Sequence, residues 1–368
     1  MIKNLVLSSG SIIGISYLGC LQILEERNLV ENIENILGCS VGALFGLYMC
    51  LGYNSSELHQ ILKKVNFSDL TNIEYDDIIN FTENLGLQDG IKIMKITEIM
   101  IKAKTKNPDI TFSELYNLTK KNLIVLTTCL TDRKEEYFNY ILTPDVKIID
   151  AVRMSISIPF LFKPVIYKNK YYVDGAVINS YPMDYFKDEM DKTLGILIHT
   201  LGSCNIKNIE DFCLSILFCS LINKKNDTYE KYKHNTILIS KYTKACSGFE
   251  FSIDDEVKEV LIKIGRDQCE KALDSDLLRS LLNNIDDLKE DNTKQDKTNL
   301  DSKDIGHNDI GDNDIDYNND LNDNDLNDND LDDNDLNDND LDDNNLDDND
   351  LDDNDLDDND LDDNFEII

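Results

Sequence analysis

Apolar residues near the start of the chain come in short runs, each followed by small residues and then by a longer apolar stretch. Leu5-Val6-Leu7-Ser8 carries no charge and reads as a buried strand. Ser9-Gly10-Ser11-Ile12-Ile13-Gly14 follows as a small-residue loop, and residues 15–27 then place Leu18, Leu21, Ile23 and Leu24 on a helix. The arrangement repeats: Asn35-Ile36-Leu37 reads as a strand, a tight turn follows at Gly38-Cys39-Ser40, and an apolar helix runs to near Leu51. Two successive strand–loop–helix units predict an α/β fold, a mainly parallel sheet flanked by helices.

Beyond this point the pattern becomes mostly helical over residues 55–119. Ser55 or Ser56 is placed to cap a helix through Val65, a further helix is expected over 91–101, and Thr111-Phe112-Ser113-Glu114 has capping-box spacing. Residues 122–129 and 136–142 are β-rich and suited to pair with one another. Residues 146–155 read as a helix that stops before Pro159, and 162–167 and 171–173 as strands around a Lys168-Asn169-Lys170 turn. Residues 193–200 form a continuous apolar run typical of a central strand, with His199 near its end. Helices over 207–223 and 254–273, with a strand at 236–240 between them, complete the pattern.

Charge divides the chain. The formal net charge is −36. Residues 285–368 hold 35 acidic and 4 basic side chains, a balance of −31, which leaves 37 acids against 32 bases, or −5, for residues 1–284. From Leu321 to Leu361 leucine recurs every five residues among Asp and Asn. A period of five makes no continuous face on a helix or a strand, and one-signed charge opposes collapse, so this tail is expected to be disordered. Calcium binding by its aspartates would lack the loop glycine of an EF-hand. A pentapeptide-repeat solenoid would stack those aspartates against one another. The expected organisation is a core over 4–187, a remaining globular part over 188–284 and the acidic tail over 285–368. Nine cysteines with no C-x-x-C, several inside apolar runs, point to reduced buried thiols. Neither a signal peptide nor a membrane-spanning run is apparent, the apolar stretch 212–222 being too short to cross a bilayer. A cytoplasmic protein, peripheral at membranes, is the expectation, and the acidic balance gives no reason to expect a nucleic-acid partner.

Candidate chemistry centres on Gly38-Cys39-Ser40-Val41-Gly42, a G-x-S-x-G pattern between strand and helix. A serine forced into so tight a turn needs neighbours without Cβ atoms. In return its hydroxyl is exposed at a helix N-terminus, where backbone N–H groups receive an oxyanion. Cys39 beside it reads as a core side chain more readily than as a second nucleophile. None of the four histidines, His59, His199, His234 and His307, sits in a supporting motif. A more telling acid is Asp174, which ends the run Tyr171-Tyr172-Val173 and is followed by Gly175 and Ala176.

Three regions in order resemble the patatin-like phospholipase family: the loop from Leu7 to Gly14 with Gly19 and Leu21, the turn Gly38 to Ala43, and Asp150 to Pro159 leading through Phe162 and Pro164 to Val173-Asp174-Gly175-Ala176 and Asn179 to Pro182. The resemblance covers residues 4–187 and implies α/β/α layers. It also implies a Ser–Asp dyad, with Ser40 as nucleophile and Asp174 as base, and an oxyanion hole from the N–H groups of Gly10, Ser11 and Val41. Gly14, Gly38, Gly42, Gly175 and Ala176 are the small motif residues. The implied activity is hydrolysis of an acyl ester of a phospholipid or other lipid, with no metal and no cofactor. A carboxylate at its ordinary pKa is a weak base for serine, so a desolvated site is expected. The family's loop is usually G-G-G-x-R/K-G. Here Ser9 and Ser11 replace two glycines and Ile13 stands where a basic residue is usual, so a shifted loop is expected. Transacylase or thioesterase chemistry with the same dyad, and a weakly active scaffold whose tail binds basic proteins or cations, are the alternative readings.

Overall fold

In a computed structural model the strands are, in chain order, β1 (Asn4–Leu7), β2 (Asn35–Cys39), β3 (Gly86–Gln88), β4 (Asn122–Cys129), β5 (Lys134–Phe138), β6 (Phe160–Phe162), β7 (Val165–Tyr167), β8 (Lys170–Asp174), β9 (Thr193–Ile198) and β10 (Thr236–Ile239). The longer helices are α1 (Ser16–Glu26), α2 (Val41–Cys50), α3 (Ser55–Lys64), α4 (Ile91–Thr105), α5 (Phe112–Thr119), α6 (Ile148–Ser155), α7 (Ile209–Tyr232) and α8 (Asp255–Leu273). The structure describes residues 1–70, 79–199, 206, 209–240, 253–276, 278 and 281. The chain divides into two units, Met1–Lys297 and Thr298–Ile368. The repeat tail expected over 285–368 lies outside the described residues.

An eight-stranded sheet runs in the order β10-β9-β1-β2-β4-β8-β7, with β5 also paired to β4. It is parallel from β10 through β4 and antiparallel at β5, β8 and β7. Strict alternation along the strands sorts the core into two layers. Leu5, Leu7, Ile36, Leu123, Val125, Leu194 and Ile196 face the larger cluster with residues of α1, α2 and α8. Val6, Leu37, Cys39, Ile124, Leu126 and Leu197 face a second cluster with Tyr181, Met183, Phe186 and Tyr232. A sheet buried on both sides accounts for its unbroken apolar strands. On the first face α1 and α8 cross with their backbones nearly touching, because a Cβ at Gly19 would collide with the Ile262 carbonyl and one at Gly265 with that of Ser16.

The expected α/β class and parallel sheet are borne out, while several boundaries move for local physical reasons. The strand read over 136–142 ends at Phe138, because the Asn139 carboxamide oxygen accepts from the Ile141 and Leu142 amides at 2.8 and 2.9 Å and turns the chain. The strand read over 162–167 is two, separated at Pro164, which has no N–H to give a ladder. The first of them, β6, pairs instead with β3 in a separate two-stranded sheet. That β3 strand lies inside the region read as helical. The helix read over 207–223 continues to Tyr232 despite a polar sequence, because Tyr229 and Tyr232 pack on the second core cluster.

Candidate active site

Ser40 stands where β2 hands over to α2. Its backbone is held at φ 57° and ψ −127°, a left-handed region that costs a serine roughly 1–3 kcal/mol. The glycines on either side permit the turn. A Cβ on Gly42 would lie 2.5 Å from the Leu7 carbonyl oxygen, and one on Gly38 would strike the backbone of Gly42. The Ser40 N–H donates to Ser155 Oγ at 3.0 Å, and that hydroxyl donates to the Leu126 carbonyl at 2.7 Å. Ser155, at the end of α6, therefore pins the turn to β4.

Asp174 arrives from a distant part of the sequence. It ends β8, which pairs antiparallel with β4, while β4 pairs parallel with β2. This order sets the carboxylate across from the turn. Its N–H donates to the Ser157 carbonyl at 2.9 Å, and its carboxylate accepts the Ala176 N–H at 2.8 Å. The next residue, Gly175, packs against the Leu126 carbonyl. Ser40 and Asp174 are 5% and 3% exposed, and the Ser40 side chain is among the groups that act on the Asp174 carboxyl. Burial raises the Asp174 carboxyl from its ordinary 3.8 to about 7, against the lowering effects of Ser40, the Ala176 amide and Cys39. Cys39 is buried with its sulfur 3.9 Å from Asp174 Oδ1. Burial, then the carboxylate, pushes its thiol well above the ordinary range, so it stays protonated.

The loop after β1 forms the other wall. Ser11 adopts φ 48°, so the shift expected from replacing glycine is absorbed as a left-handed serine. Gly10 has φ −170°, and Gly14 backs onto the Val41 side chain. Among the described residues the amides of Gly10, Ser11 and Val41 donate to no acceptor in the surrounding loops, and the buried Ser11 hydroxyl has no partner. Ser11, Gly14, Ser40 and Val41 line one pocket of about 210 Å³, whose remaining wall is apolar apart from the Tyr48 hydroxyl. Leu44 and Phe45 of α2, Leu58, Ile61 and Leu62 of α3, and Ile93, Ile96 and Met100 of α4 supply it. The Tyr48 hydroxyl is already engaged with Thr97 at 3.0 Å. The arrangement presents the Ser40 hydroxyl and the free amides of Ser11 and Val41 at one edge of an apolar chamber, with the high-pKa Asp174 carboxyl buried outside its lining.

Of the assigned site residues, Ser11, Gly14, Ser40 and Val41 line the pocket; Gly38 and Gly42 pack around the Ser40 turn, Gly175 and Ala176 follow the buried Asp174, and Gly10 backs onto Ile198. None of the described histidines lines the pocket. His199, partly buried beyond its strand as expected, bonds Asn226 at 2.7 Å, and His59 pairs with Glu259. Cys129, Asp132 and Glu136 bring ligand atoms within 4.8 Å of one another. Asp132 is ion-paired with Lys134 and Lys170, and Glu136 with Lys134, while Glu136 also accepts the Tyr172 hydroxyl. Two participants escaped the sequence reading. Ser155 lay in the quoted segment without an assigned contact, and Lys225, in a polar run, donates to the Ser9 carbonyl at 3.2 Å.

Residues 5–187 match the model of the patatin-like phospholipases. An uncharacterised protein of Acanthamoeba polyphaga mimivirus, R571, is 30% identical over 275 residues, covering 72% of this chain and 91% of the relative. The probable lipid hydrolase 463L of Invertebrate iridescent virus 6 is 34% identical over 184 residues, covering 50% of this chain and 62% of that protein. Among solved structures, VipD from Legionella pneumophila aligns with a TM-score of 0.50 at 20% identity, covering 74% of this chain and 67% of VipD. At that identity the likeness speaks for the fold.

Proposed function

The chain belongs to the patatin-like phospholipase family, a family of lipid hydrolases, and on that premise we propose that it cleaves acyl esters of lipids with a Ser40–Asp174 dyad. The observation that carries the reading is a strained serine in the lining of an apolar pocket whose side chain acts on a buried carboxyl raised to about 7. Ser40 Oγ attacks the ester carbonyl as its proton passes to Asp174. The Gly10, Ser11 and Val41 amides receive the oxyanion, each such donor being worth on the order of 10²–10³ in rate. The proton then goes from Asp174 to the departing alcohol, leaving the acyl group on Ser40. Water attacks the acyl-enzyme, giving its proton to Asp174, and the fatty acid leaves as Ser40 recovers its proton. A carboxyl near 7 suits both directions of transfer, because general acid–base groups work best close to the ambient pH.

The pocket accepts the acyl chain, since its wall offers carbon and almost no polar group. The partner is a lipid surface. On the outer side of α4, Ile91 and Ile99 are 49% and 42% exposed. Lys92, Lys95 and Lys102 lie on the same helix and, among the described residues, form no ion pair. The other side of that helix lines the pocket, so chain entry and peripheral docking share one element. Among the described residues no helix is long and apolar enough to cross a membrane.

A fluorophosphonate probe tests the proposal. Wild type should be labelled at Ser40 and should release fatty acid from a lipid panel, and Ser40→Ala should lose both while keeping its fold. Undiminished hydrolysis by the Ala variant would remove Ser40 from the mechanism.

A further inference from the structure

Lysine is almost never buried without a partner, yet Lys225 on α7 is only 7% exposed. Its Nζ donates to the Ser9 carbonyl at 3.2 Å, an oxygen that also accepts the Ser8 hydroxyl at 2.9 Å. The Ser9 carbonyl and the Gly10 N–H belong to one planar trans peptide and point in opposite directions. Fixing the oxygen therefore fixes where the N–H points. A cation at the oxygen also draws charge through the amide and strengthens the N–H as a donor. The neighbouring residues make parallel contacts. Lys224 Nζ donates to the Ile178 carbonyl at 2.8 Å, just beyond Asp174, and Asn226 Oδ1 bonds His199 Nε2 at 2.7 Å. Three consecutive residues of α7 thus hold the loops that follow β1, β8 and β9.

We propose that Lys225 is a positioning residue for the oxyanion loop, its ammonium orienting and polarising the Ser9–Gly10 peptide so that the Gly10 N–H meets the developing negative charge. The inference rests on the reading of Gly10 as an oxyanion donor. Burial lowers the ammonium to about 8, which leaves it charged at neutral pH. The rival role, direct partner of the base, has no contact behind it: Lys225 Nζ bonds the Ser9 carbonyl, while the Asp174 carboxylate accepts the Ala176 amide and lies beside the Cys39 thiol. The loop itself has no basic residue between Leu7 and Gly19, so the cation reaches it from a helix 216 positions away.

The test compares wild type with Lys225→Met on p-nitrophenyl butyrate and with a fluorophosphonate probe. A donor that is misaimed but present should cost less than one removed, so kcat and the labelling rate should fall roughly 10–100-fold while KM moves less than about threefold. Ethylammonium should restore part of the rate to Lys225→Ala in a saturable manner, which a packing role would not produce. If Lys225→Met does not fold, Lys225→Arg and Lys225→Gln replace it: the charged variant should label at least about tenfold faster than the neutral one. A folded Met variant that labels as fast as wild type, or Arg and Gln variants that label alike, overturns the Lys225 role while leaving Ser40 in place. A wild type that the probe does not label at Ser40 overturns the acyl-transfer reading, and this inference with it.

Discussion

Replacing Asp174 by Asn should make the protein more stable and inactive, and the gain should grow with pH. Asp174 is held at about 7 against an ordinary 3.8, so the folded state binds this proton more tightly than the unfolded chain does. The resulting stability is fully present below about 3.8, is lost progressively as pH rises through about 7, and is level above that. At 1.36 kcal/mol per pH unit the gap amounts to roughly 4 kcal/mol, an upper figure because it assumes complete burial in a rigid site. Asparagine carries no charge to desolvate, and its carbonyl oxygen still accepts the Ala176 amide. Paired urea titrations of wild type and Asp174→Asn at pH 4 and pH 8 measure the difference. The variant's advantage should be small at pH 4 and about 2–4 kcal/mol larger at pH 8, while ester turnover falls by at least about 10². In wild type, kcat/KM should rise with pH through about 7 as the base ionises. An advantage equal at both pH values, or a rate already flat across pH 5–8, would refute the claim that this carboxylate is buried at a cost and used as a base.

Other outcomes follow from single contacts. Ser40→Gly should be more stable than Ser40→Ala by about 1 kcal/mol in urea, because only glycine accepts the backbone at φ 57° without strain; a more stable Ala variant would mean the turn is relaxed. Gly265→Ala should destabilise by roughly 2–3 kcal/mol, since a Cβ there meets the Ser16 carbonyl and must push α8 off α1; an unchanged melting temperature would show that the two helices slide apart freely. Ile91→Asp with Ile99→Asp should reduce co-sedimentation with phosphatidylserine-containing vesicles severalfold, with hydrolysis of a short soluble ester unchanged; equal co-sedimentation would place the docking surface elsewhere.

The sequence made legible whatever was encoded within one or two neighbouring segments. Apolar runs without charge gave β1, β2, β4 and β9, since a sheet covered on both faces demands them. Two glycines around Ser40 gave the turn, because no other residue allows β2 and α2 to pass so close to the Leu7 carbonyl. What was lost depends on partners far away in the chain. The stretch 86–88 is a strand only because Phe160–Phe162 comes back beside it, held there by Arg153, which donates to the carbonyls of Asp89 and Lys163. The polar end of α7 is helical because Tyr229 and Tyr232 bury themselves under the sheet, and that same burial carries Lys225 inward to the Ser9 carbonyl. The absence of a basic residue at Ile13, which reads as a missing function when the loop is considered alone, is therefore a statement about local sequence. The charge facing that loop is set by the packing of a helix whose amphipathic register is invisible until the second core layer is in place.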